Sequence, residues 1–102
     1  MDIAMVLKVM ADMAIKQGFR IDYLHEDVMR ANLKLKTRTR LFLIHVHHDM
    51  VMVGVSTVKG HELFHLTRKE IRLTSESTNE SVVMEIMDML NLSFPATSQR
   101  KA

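Results

Sequence analysis

At 102 residues, 47% hydrophobic and 25% charged, the chain has the composition of one folded domain and not of a disordered segment. It has no cysteine, which excludes disulfides and thiol chemistry, and no apolar run reaches the ~18 residues that a membrane-spanning helix needs. A formal net charge of +2 is too small to imply nucleic acid without a clustered patch.

Asp2 is a good N-cap, residues 3–16 are mostly strong helix formers, and Gly18 stands where a left-handed C-terminal residue belongs. The first helix carries one narrow polar stripe, Lys8, Asp12 and Lys16, and is apolar around the rest of its circumference. Asp2, Lys8 and Asp12 also interrupt the apolar stretch that a secretory signal would need, so the helix is expected to belong to the mature fold, in the cytoplasm. Residues 19–24 alternate as a first strand, closed by a turn at His25, Glu26 and Asp27. Residues 29–36 form a second strand, with Ala31, Leu33 and Leu35 inward and Arg30, Asn32, Lys34 and Lys36 outward.

The longest apolar run, residues 40–58, is rich in β-branched residues and broken only at His48 and Asp49, which suit a tight turn. It predicts a central hairpin with both faces covered, because neither arm alternates strictly. Residues 61–73 satisfy both a helical and a strand pattern and lean towards helix. Ser77 followed by Glu80 is a capping-box pattern, and Val83, Ile86, Met87 and Leu90 then recur at helical spacing. The predicted fold is therefore α+β: a four-stranded antiparallel meander flanked by N- and C-terminal helices, with a short third helix or a fifth strand at 61–73. Residues 1–95 make the single domain, and 96–102 a disordered basic tail.

The reading of function that this pattern supports is a small non-catalytic binding module, an adaptor or regulator. Ten methionines are many for this length. Thioether side chains re-pack readily against partners, so Met5, Val9, Met10, Met13, Met84 and Met87 are the expected interface of a homodimer or of another protein partner. No dinucleotide fingerprint, phosphate-binding glycine loop or Ser/His/Asp set is present. A second reading is nucleic-acid binding through Arg30, Lys34, Lys36, Arg38 and Arg40. These lie on even positions with no carboxylate between them and would share one sheet face if the strands stay regular.

Two histidine groups remain. His45 and His47 are about 7 Å apart on a strand, long for ligands of one metal, and with His48 they read as hairpin-end residues. His61-Glu62-Leu63-Phe64-His65 is an H-E-x-x-H sequence, which on a helix sets two histidines over one Zn²⁺ with the glutamate as general base. This stretch resembles the active-site segment of gluzincin metallopeptidases. The resemblance implies zinc held by His61, His65 and a glutamate of the last helix, Glu85, with Glu62 as the catalytic base. Without that zinc alternative no cofactor is expected.

Overall fold

A computed structural model describes residues 1–94, with Phe64 and His65 described by their backbone alone. The elements in order are α1 (Ile3–Lys16), β1 (Arg20–His25), β2 (Val28–Lys34), β3 (Thr39–His47), β4 (Met50–Lys59), β5 (Glu62–Arg72) and α2 (Asn79–Ser93). The strands form one sheet in the order β1-β2-β3-β4-β5, each antiparallel to its sequence neighbour. The helix-flanked α+β meander is as the sequence predicts. The leaning towards helix at 61–73 is corrected, because the segment pairs with β4 from Met50↔Arg72 to Lys59↔Glu62. The tail expected at 96–102 lies outside the described residues. Among those described, no helix is long and apolar enough to cross a membrane.

The helix ends follow from local chemistry. Asp2 accepts from the Met5 N–H at 3.2 Å, and Gly18 takes φ +95°, which lets the chain leave α1 and enter β1 directly. The second cap falls one residue later than the Ser77/Glu80 pattern suggested. Thr78 is extended, and it exchanges reciprocal side-chain and backbone bonds with Ser81 at 3.0 Å. Ser77 is used in the turn before it, accepting from the Thr74 N–H at 2.8 Å.

An odd number of antiparallel strands lies between the helices, so α2 runs in the same direction as α1. The Asp2 N–H donates to the Asn79 side chain at 2.8 Å, which joins the two helix starts. α1 lies over β1 and β2 and α2 over β4 and β5, and the helices touch each other. Beneath their seam, Phe42 is 2% and Ile44 0% exposed, packed with Met29, Val53, Leu7 and Ile86. Each such side chain contributes about 1.5–3 kcal/mol of burial.

The apolar circumference of α1 is thereby largely satisfied inside the chain. Met10 is 0% exposed and belongs to the core, and Val9, Met13 and Met87 are half-buried. Of the expected interface set, Met5 at 48% and Met84 at 64% remain outside. Two helices side by side on one sheet face cover part of each other, and Ile15 and Leu92 stay exposed on them along with Met5 and Met84.

The central hairpin turns at His48 and Asp49, with His47 paired to Met50 and His48 at φ +57°. Its expected burial on both faces is wrong. The helices occupy one face only, and on the other Leu43 is 40% and Met52 37% exposed.

Candidate binding surface

Which side chains reach the open face is decided by the parity of the ladder. Lys34 pairs with Thr39 across a four-residue connection, so even positions of β2 stand beside odd positions of β3. The two-residue turn at His48 and Asp49 reverses parity again, placing even positions of β4 on the open face. Even positions of β5 follow as far as the bulge opposite Thr57 and Val58. One row of the open face therefore reads Tyr23, Arg30, Leu43, Gly54, Arg68 across all five strands. Its neighbours are His25, Val28, His45, Met52, Glu70 on one side and Asn32, Leu41, Ser56, Leu66 on the other.

At the centre of this face is a shallow hollow bordered by Leu43, His45, Met52, Gly54, Arg68 and Glu70. Gly54 creates it. A Cβ built there would meet nothing within 4 Å, and its backbone is not in the left-handed region, so neither crowding nor conformation inside the chain requires a glycine. Glycine within a strand weakens it, and a position open to another molecule's close approach is one setting in which it occurs.

Cations outnumber carboxylates on this face. Arg20, Arg30, Lys34, Arg68 and Arg72 belong to it by register, with Arg72 paired to Asp49 at 3.2 Å, and among the described residues the ladder sets one carboxylate there, Glu70, which borders the hollow beside Arg68. A second carboxylate, Asp22, sits in the β1 bulge and is engaged locally: both its oxygens accept from Asn32 Nδ2 at 2.7 Å. The guanidinium of Arg30 lies 5.9 Å from the centre of the Tyr23 ring, which stacks on His25.

The predicted basic stripe is thus divided, which corrects the assumption of a shared face. Arg30 and Lys34 stand on the open face, and Lys36 and Arg38 lie in the β2–β3 connection. Arg40 pairs with Leu33 on the helix side, with its guanidinium 4.8 Å from the centre of the Phe94 ring. Even spacing along the chain predicts one face only within one strand. Across a connection of even length, even positions change sides.

The H-E-x-x-H sequence forms no helix. His61 is in the turn after Gly60, Glu62 opens β5, and the His65 backbone pairs with Thr57. Four positions of strand span about 13 Å, so the helical alignment that the zinc reading assumed for His61 and His65 is not formed. Glu85 on α2 lies 3.7 Å from the Lys69 ammonium, and Lys69 is about 23 Å of strand beyond Glu62. The rings of His47 and His48 are 4.2 Å apart and those of His45 and His47 6.0 Å. Among the described residues no three His, Asp or Glu side chains converge as a ligand set.

Sequence reasoning missed Gly54, Leu43, Met52 and Arg68 as surface residues. A glycine inside an otherwise β-branched run is the signal that pointed there. In comparisons with known proteins, no family model, no curated protein and no solved structure matches the chain.

Proposed function

We propose that the chain is a non-catalytic binding module whose working surface is the open sheet face, and that it holds an acidic protein segment bearing an apolar side chain. The observation that carries this reading is the hollow at Gly54, with Leu43 and Met52 as its apolar border and Arg30 and Arg68 in the same cross-strand row. An apolar side chain of the partner fills the hollow, and carboxylates on either side meet the arginines. Pairing this face with a second copy would set its cations against the same cations, so the charge favours an acidic partner over self-association.

Nucleic acid is the second reading, supported by Arg20, Arg30 and Lys34 beside the Tyr23 ring. The aliphatic centre of the face weighs against it, since Leu43 and Met52 offer bases no stacking surface.

The test is selection from a random linear-peptide display library against the full chain. Recovered peptides should combine an apolar residue with Asp or Glu, and should lose binding to Gly54→Val and to Arg68→Glu. Gly54→Val should itself be as stable as the parent or more so by about 0.5–1 kcal/mol, since a strand glycine is replaced in open space. Peptides without acidic residues, or equal binding to Gly54→Val, would overturn the proposal. Retention on polynucleotide that falls steeply with salt and is lost in Arg30→Ser would replace it with the second reading.

A further inference from the structure

The turn of the central hairpin brings two kinds of metal donor face to face. β3 ends in His45-Val46-His47 and β4 begins with Met50-Val51-Met52, and the ladder sets them directly opposite each other, His45 to Met52 and His47 to Met50. All four side chains belong to the open face, because the alternate residues Val46 and Val51 are buried on the helix side, at 8% and 1% exposure. Two imidazoles and two thioethers therefore stand at the corners of one small rectangle. Directly opposite residues have their Cβ atoms about 4.5–5.5 Å apart, and positions two apart along a strand are about 7 Å apart. The centre of the rectangle is then about 4 Å from each corner, in reach of an imidazole nitrogen and of a thioether sulfur.

We propose that this rectangle is a copper site, holding Cu(I) on His45, His47, Met50 and Met52.

The donors select the metal. Thioether sulfur is a soft ligand that favours Cu(I), and imidazole also suits copper, so both halves of the set accept the same ion. Zinc takes its sulfur from cysteine thiolate, and the chain has no cysteine, so zinc would use the histidines alone. Calcium and magnesium need oxygen donors, which the rectangle lacks. The rings are already placed for a shared ion. Two imidazoles bound through nitrogens about 2.0–2.1 Å from one metal have ring centres at most about 6.5 Å apart, and those of His45 and His47 are 6.0 Å apart. Two histidines on one strand are a weak chelate by themselves, and the facing strand supplies the donors they lack. Half the set is sulfur, so the site needs no third His, Asp or Glu.

The surroundings suit a monovalent ion on neutral ligands. On β5, Glu70 stands in the row of His45 and Met52, while Arg72, in the row of His47 and Met50, is held by Asp49 at 3.2 Å. His47 and Met52 are exposed, so the ion enters directly from solvent. His48 lies in the turn at φ +57°, outside the ladder, and packs its ring 4.2 Å from that of His47 without being needed as a ligand. The site is at one end of the hollow beside Gly54 and does not depend on which segment fills the hollow.

The test uses the full chain under anaerobic conditions, with Cu(I) supplied as its bicinchoninate complex and Zn(II) as the comparison ion. A single copper per chain should transfer to the protein. Of the ten methionine methyl resonances, those of Met50 and Met52, assigned from their leucine variants, should shift. The double variant Met50→Leu, Met52→Leu conserves volume and removes both sulfurs. It should keep the parent circular dichroism spectrum, weaken copper binding roughly tenfold or more, and leave the weaker zinc binding unchanged. His47→Gln, at an exposed position, should lose both metals. His48→Asn keeps a residue tolerant of positive φ in the turn and should bind copper within about threefold of the parent. Copper binding undiminished in the double leucine variant or in His47→Gln, methyl shifts confined to other methionines, zinc bound as tightly as copper, or a loss in His48→Asn equal to that in His47→Gln would each overturn the proposal.

Discussion

Leu43 and Ile44 are consecutive on β3 and face opposite sides of the sheet, so an aspartate placed at each in turn measures which side is open. Ile44 is 0% exposed and stands between Met29 and Val53 in the ladder. Aspartate there loses about 1.5–3 kcal/mol of side-chain burial, and it leaves an unpaired carboxylate in the core at a cost of several kcal/mol more. The sum reaches about 5 kcal/mol or above, the lower end of a whole domain's stability. Ile44→Asp should be unfolded at room temperature. Leu43 is 40% exposed, and an aspartate carboxylate there reaches water with Arg30 next to it on β2. Only part of one side chain's burial is lost, about 1–2 kcal/mol, offset by cross-strand attraction of a few tenths. For a domain of this size that corresponds to a melting temperature lowered by roughly 4–15 °C. Thermal and urea unfolding followed by far-ultraviolet circular dichroism reads both variants. If Leu43→Asp unfolds the chain, or costs as much as Ile44→Asp, the outer face is covered and the binding surface proposed above does not exist.

Asp22→Ala leaves the buried Asn32 amide without its partner, and should lower the urea-derived stability by about 1–3 kcal/mol; an unchanged midpoint would mean that water replaces the carboxylate. Lys69 points to the helix side of the edge strand β5, where it meets Glu85, an inward charge of the kind that discourages edge-to-edge pairing. Lys69→Val should change stability by no more than about 0.5 kcal/mol yet aggregate at lower concentration in light scattering, and equal solubility would remove that role. Sedimentation of the parent at micromolar concentration should give mainly the monomer, because the helices cover part of each other. A dimer dispersed by Met84→Glu would restore the helix-mediated self-association that the methionine content suggested.

The parts of this fold that could be read from the chain are those where one local signal dominates. Asp2 and Gly18 bracket α1, and His48-Asp49 interrupts a β-branched run where nothing but a tight turn fits. β5 was ambiguous for a physical reason. Its inner positions Thr67 and Lys69 are polar, while Leu63 and Leu66 lie on the open face, so apolar residues do not mark the core side as they do on β3. The open sheet face was hidden by the opposite effect. In the run 40–58 both faces are apolar, and only the ladder parity, set by connections of two and four residues, tells Leu43 and Met52 from Ile44 and Val53. The hollow at Gly54 was missed although the chain carries a signal for it, a glycine out of place, because the meaning of that glycine depends on knowing which face lacks helices.

The meander has a consequence for how the chain acquires its structure. The strand connections are two or four residues long, at Glu26-Asp27, 35–38, His48-Asp49 and Gly60-His61, so every strand pairing closes a short loop and little chain entropy is spent on it. Isolated hairpins form in about 1–10 μs but are marginal by themselves. The contact that spans the chain is the one between the helices, where Asp2 meets Asn79 across 77 positions. Joining α1 to α2 over one side of the sheet couples hairpins that are marginal by themselves, so the cooperativity of the ladder is expected to depend on α1.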